Sequence, residues 1–114
     1  MSFDPQVSAA YWNQRNRRDA ELLQARISQA WDEVRRLARD LREKAGVNRL
    51  VLFGSLAEGT VRSEQFDIDL AYEGGDDTLC LSVAETSSFS VDLVDYTLLP
   101  PHVQERVDRL GKVL

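Results

Sequence analysis

Asp67-Ile68-Asp69 is where residue types and spacing point most directly to chemistry. In an extended strand, side chains at i and i+2 leave the same face. Asp67 and Asp69 then stand side by side while Ile68 and Leu70 face the other way. Two carboxylates that close repel each other unless a cation or a proton sits between them. A metal explains the pair, and Mg²⁺ is commonly held by one or two carboxylates with phosphate oxygens and water. A later apolar run, residues 89–96, carries Asp92 and Asp95. Three apart, these two point to opposite faces of a strand. Asp92, between Val91 and Leu93, is either on an exposed face or functional. Asp95, beside Tyr96, reads as a solvated or turn residue.

Gly54-Ser55 directly follows the apolar run Arg49–Phe53. A Gly-Ser turn from a strand into a short helix leaves backbone N–H groups free to cradle phosphate, and Ser55 adds a hydroxyl. Gly59 lets the chain turn again at little steric cost. Taken alone, such a turn is a weak signal. Arg62 is the only basic residue between this turn and the Asp pair. Two other reactive residue types lead nowhere. Cys80, the single cysteine, lies between Leu79 and Leu81 and reads as a small buried hydrophobe of a reducing compartment. His102, the only histidine, follows Pro101 at a helix start and reads as a surface residue.

The elements that must hold these groups follow from periodicity. Leu23, Ile27, Ala30, Trp31, Val34, Leu37, Ala38, Leu41 and Ala45 recur at spacings of three and four. That spacing builds one apolar helical face, and Gly46 stops the helix. The helix is expected over residues 7–45, after a frayed start at 1–6. Asn13, Asn16 and Asp19 weaken the pattern, so residues 7–18 are either its continuation or a separate helix. Strands are expected at Arg49–Phe53, 66–72 and 89–96, with a turn at 73–77. Residues 78–87 suit either a short helix or a strand. Pro100-Pro101 open a last helix to about Leu110, since proline fits the first helical turn.

Composition sets limits. A chain of 114 residues, 43% hydrophobic and 29% charged, fits one globular domain. No window approaches the roughly 18 apolar residues of a membrane span, and the start contains Asp4 and Pro5 rather than an apolar leader. A cytoplasmic location without membrane contact is expected. Charge is uneven: residues 1–50 hold 10 basic and 7 acidic side chains, residues 51–114 hold 4 and 12. The acidic half is a poor grip for nucleic acid, which is bound largely by Lys and Arg neutralising phosphates. This argues against a nuclease and against direct nucleic-acid binding.

In combination the motifs are far more specific. Gly54-Ser55-Leu56-Ala57-Glu58-Gly59, then Phe66-Asp67-Ile68-Asp69-Leu70, then Val91-Asp92-Leu93-Val94 resemble the minimal nucleotidyltransferase (MNT) group of the DNA polymerase β superfamily. The likeness covers about residues 34–110. It implies an α/β fold: a small mixed sheet of three to five strands, helices packed on one side, and a long N-terminal helix in front. Residues 1–20 would be an extension and 21–114 the domain. It implies that Asp67 and Asp69 hold Mg²⁺, that Asp92 completes a second metal site and helps deprotonate the acceptor, and that Gly54 and Ser55 hold the β- and γ-phosphates. The implied reaction moves AMP from ATP to a hydroxyl. Two positions depart from the pattern: Phe66 stands where serine is usual, and Glu58 where arginine is frequent. MNT proteins often act as antitoxins to HEPN ribonuclease toxins, by adenylylating a toxin tyrosine or by tight binding. The resemblance therefore implies a toxin partner in a hetero-oligomer. Tyr11, Trp12, Arg15, Arg17 and Arg18 are residue types enriched at interfaces, although the two aromatics suit the protein's own core equally well. A small-molecule nucleotidyltransferase is a further alternative, weakened by size, since such enzymes generally need an additional domain to form an acceptor pocket.

Overall fold

A computed structural model describes the backbone of residues 5–114 and the side chains of residues 9–114. Part of the expected frayed start, residues 1–4, lies outside the described residues. Helix α1 runs unbroken over Pro5–Ala45. Its 41 residues span about 62 Å at 1.5 Å each, close to the longest extent of the molecule, 65 Å. Among the described residues, its buried side chains all lie in its second half. Ala30, Val34, Leu37, Ala38, Leu41 and Ala45 are buried, as the three-and-four spacing requires. Residues 9–22 are exposed all round. Polar groups along the buried stretch pair within the helix: Arg36 donates to Glu33 and Asp40, and Lys44 also pairs with Asp40. Gly46, at φ 72°, ends the helix and donates its N–H to the Arg42 carbonyl.

Four strands form one open sheet in the order β3-β2-β1-β4. They are β1 (Arg49–Phe53), β2 (Ile68–Glu73), β3 (Val91–Asp95) and the short β4 (Lys112–Val113). β1 is antiparallel to both β2 and β4, and β2 is parallel to β3. Helix α2 (Gly54–Glu58) follows β1, α3 (Asp77–Glu85) crosses from β2 to β3, and α4 (Pro101–Leu110) leads into β4. The ambiguous stretch after the turn is therefore helical. Asp76 caps it by accepting from the Leu79 N–H at 2.9 Å, and Cys80 and Val83, three apart, are its buried contacts.

Alternation divides the sheet. Leu50, Leu52, Ile68, Leu70 and Tyr72 face α1 and α3 and form the main core. Burying each of the large aliphatic side chains is worth about 1.5–3 kcal/mol. Helices on one side of the sheet thus holds for α1 and α3. Helix α4 adds partial cover to the second face, where Val107 packs with Val51 and Ala71. The rest of that face, toward β3, is left for Asp69 and Asp92. β2 and β3 each begin two residues later than the alternation suggested, because Phe66 and Phe89 pack against each other and the main core, with ring centroids 6.2 Å apart. The ladder starts where the Ile68 N–H donates to the Ser90 carbonyl at 2.8 Å. Among the described residues no helix is long and apolar enough to cross a membrane.

Candidate functional site

The site is assembled at the end of β1. Phe53 is fully extended, and Gly54 then turns the chain at φ 77° into α2. Gly59, at φ 72°, closes that helix by donating to the Ser55 carbonyl. Phe53, at the N-cap of α2, provides no side-chain cap, and the leading N–H groups of a helix have no intrahelical acceptor.

Asp69 lies across from this turn. In register it is the partner of Phe53 on one side and of Asp92 on the other. Register partners on neighbouring strands project from the same face, so Asp69 and Asp92 stand next to each other on the open face. A Cβ placed on Gly54 would come within 2.2 Å of Asp69 Oδ2. The carboxylate occupies space that only glycine leaves free. Asp67 lies just before β2 and is exposed. The Asp69 carboxyl is pushed up to about 6, first by burial and then by the charges of Asp92 and Asp67. Among the described residues none of the three has a basic partner within 4.0 Å.

Unpaired, mutually repelling oxygen donors suit a hard divalent cation. Among the described residues, however, no three His, Cys, Asp or Glu side chains converge as a ready-made metal cage. The donor set fits Mg²⁺ bound in part through phosphate oxygens and water, which needs only one or two protein carboxylates. It does not fit a closed all-protein site.

A cleft of about 380 Å³ opens beside the turn. Gly54, Ser55 and Thr60 supply its polar lining, and Phe53, Val103 and Val107 an apolar wall. Glu58 and Arg106 also line it and pair at 3.3 Å. The acid that departs from the MNT pattern is thus answered by a cation from α4. Arg106, not Arg62, is the basic residue that the fold brings to the motif. Arg62 lies instead along a groove with Asp19 and Leu23. Sequence reasoning missed Arg106 because 48 residues separate it from Glu58, and its spacing carries no motif. Phe66 turns into the core against Phe89, whose other neighbour is the Arg26 guanidinium 3.8 Å from the ring centroid.

The remaining candidates fall away from the site. Asp95 accepts from the Thr97 N–H at 2.9 Å and from the Thr97 hydroxyl at 2.7 Å, a turn residue as expected. Cys80 is fully buried, and burial pushes its thiol up. His102 is exposed, and Trp31 packs against the main core. Tyr11 and Trp12 cover no core: they are 60% and 52% exposed on the free half of α1.

A family model described as a nucleotidyltransferase domain matches residues 34–106. No curated protein matches the chain. Among solved structures, the chain is similar to one in a crystal structure of a toxin-antitoxin with AMP-PNP. The two are 28% identical, with 72% of this chain and 69% of that chain covered and a TM-score of 0.52. It is also similar to a chain of a toxin-antitoxin MntA-HpeT carrying a tyrosine-to-alanine mutation, at 30% identity, 73% and 69% coverage and a TM-score of 0.51. A MntA-HpeT mutant with two aspartates changed to glutamate gives 25% identity, 72% and 69% coverage and a TM-score of 0.50.

Proposed function

Because this chain belongs to the nucleotidyltransferase domain family, we propose that it transfers AMP from ATP to a hydroxyl, a tyrosine of a HEPN-type ribonuclease toxin, and so acts as that toxin's antitoxin in the cytoplasm. The observation that carries the reading is the register of Asp69 beside Asp92 on the open face, with the Gly54 backbone against Asp69. The similarity to toxin-antitoxin structures, one of them with AMP-PNP, supports both the partner and the nucleotide.

In this mechanism Asp67 and Asp69 would hold Mg²⁺, and Asp92 would complete a second site. When bound, the ions neutralise charge on the attacking and leaving oxygens. Gly54 and Ser55 orient the β- and γ-phosphates. The acceptor oxygen attacks the α-phosphorus, the bond to pyrophosphate breaks, and the Asp92 carboxylate takes the hydroxyl proton. Little further protein chemistry is required, because phosphoryl-type transfer depends mainly on positioning and charge stabilisation. We read residues 21–114 as the catalytic domain and residues 1–20 as an extension that meets the partner in a hetero-oligomer. The exposed aromatics of the free half of α1 support the second role. Neutralisation by binding alone is the competing reading, favoured by the acidic Glu58 in the cleft beside Gly54-Ser55.

Incubation with α-labelled ATP and Mg²⁺, with and without the product of the neighbouring gene, separates the two. Label on the partner, lost with Asp67→Asn or Asp69→Asn, supports transfer. A stable unlabelled complex that survives both substitutions overturns it in favour of masking.

A further inference from the structure

The cleft beside Gly54-Ser55 has one basic side chain in its lining, Arg106. In residues 51–114, where 12 acids face 4 basic residues, a cation at this position is notable. Its one ionic partner among the described residues is Glu58, a single contact at 3.3 Å. Arg106 is 63% exposed and Glu58 22%. An ion pair with one partner this exposed adds little to stability. It does keep Arg106 in the lining of a cleft that offers both apolar and polar side chains. A nucleotide has the same two-sided character, with flat apolar base faces and an anionic tail.

We infer that Arg106 is a positioning residue for the nucleotide's phosphates, and that Glu58 is the anion it gives up when they arrive. A guanidinium binds carboxylate and phosphate oxygens with the same planar donor geometry. The exchange therefore needs no new donor, only a change of acceptor. Glu58 then competes with the ligand: it pre-orients Arg106 but opposes phosphate binding by occupying its donor and adding negative charge. This inference rests on the nucleotide reading given above.

The test is calorimetric titration of the full chain with AMP-PNP and Mg²⁺, and separately with adenosine. Arg106→Gln should weaken AMP-PNP binding about tenfold, the scale of one charge-assisted hydrogen bond, and leave adenosine binding unchanged. Arg106→Lys should restore part of the loss. Glu58→Gln should tighten AMP-PNP binding. Opposite signs for the two partners are the signature, because a merely structural pair would respond alike to loss of either member. If the unaltered chain binds AMP-PNP and the two variants shift together or not at all, the role given to Arg106 is wrong. Failure of the unaltered chain to bind AMP-PNP overturns the nucleotide reading itself and this inference with it. Thermal melts of each variant check folding. Should Arg106→Gln not fold, Arg106→Lys and Glu58→Gln still decide the sign.

Discussion

Replacing Gly54 with alanine probes how the turn and Asp69 share one space. The substitution has two consequences, and Gly59→Ala separates them. Both glycines hold a left-handed conformation, at φ 77° and 72°, which costs a residue with a Cβ about 1–2 kcal/mol. A less flexible unfolded chain offsets roughly 0.4–1 kcal/mol of that. Gly59→Ala meets nothing within 4 Å, so its net loss should be about 1 kcal/mol. Gly54→Ala also drives a methyl to 2.2 Å from Asp69 Oδ2 and 3.0 Å from its Cγ. The Asp69 side chain must swing away, at a rotamer cost of about 0.5–1.5 kcal/mol, for a total near 2 kcal/mol. The functional consequence is larger, since the carboxylate leaves its place beside Asp92. Urea unfolding of both variants, with AMP-PNP and Mg²⁺ titration, measures the two effects. Gly59→Ala should keep ligand affinity, and Gly54→Ala should lose at least about tenfold, as expected for one lost charged contact. In an Asp69→Ala background, Gly54→Ala should cost only about what Gly59→Ala costs. Equal stability and equal affinity for the two single variants would refute the close approach of turn and carboxylate.

Asp69→Asn should stabilise the metal-free protein at pH 8 by about 2 kcal/mol and leave it unchanged near pH 3.5, read from urea midpoints. The sign follows from the raised carboxyl, about 6 against an ordinary 3.8: stability falls as pH rises between those values and stays lower above them, and the amide removes that loss. Leu37→Ala, at a fully buried position, should cost about 2–5 kcal/mol, whereas Leu22→Ala, 52% exposed, should stay within about 0.5 kcal/mol. Comparable losses in chemical denaturation would place the free half of α1 in the core after all. Trp12→Ala should likewise leave the melting temperature unmoved while weakening partner capture by surface plasmon resonance. An unchanged partner affinity would remove the extension from the interface.

Much of this protein is local in origin and so legible in the sequence. The helical face from Ala30 to Ala45 follows from periodicity alone, as do the β1 run and the helix after Pro101, because each is set by side chains close together along the chain. The acidic candidates were local signals too: Asp67 and Asp69 stood out by spacing, whereas the apolar flanks of Asp92 left it either exposed or functional. The strand starts did not, because pairing begins at Ile68 and Ser90 once Phe66 and Phe89 have turned into the core together, a contact between residues far apart in sequence. Residues 78–87 read equally as strand or helix until the place of the helix at Asp77–Glu85 was fixed, because two buried side chains and one capping aspartate are a weak local signal without a neighbouring layer. Tertiary structure alone decided that Tyr11 and Trp12 face outward, since an amphipathic stretch does not say where its core ends. It also decided that Asp69 meets both Asp92 and the bare backbone of Gly54, and that Arg106 answers Glu58. Those contacts depend on strand register and on the packing of α4 over β1, which are set by the whole core rather than by any one segment.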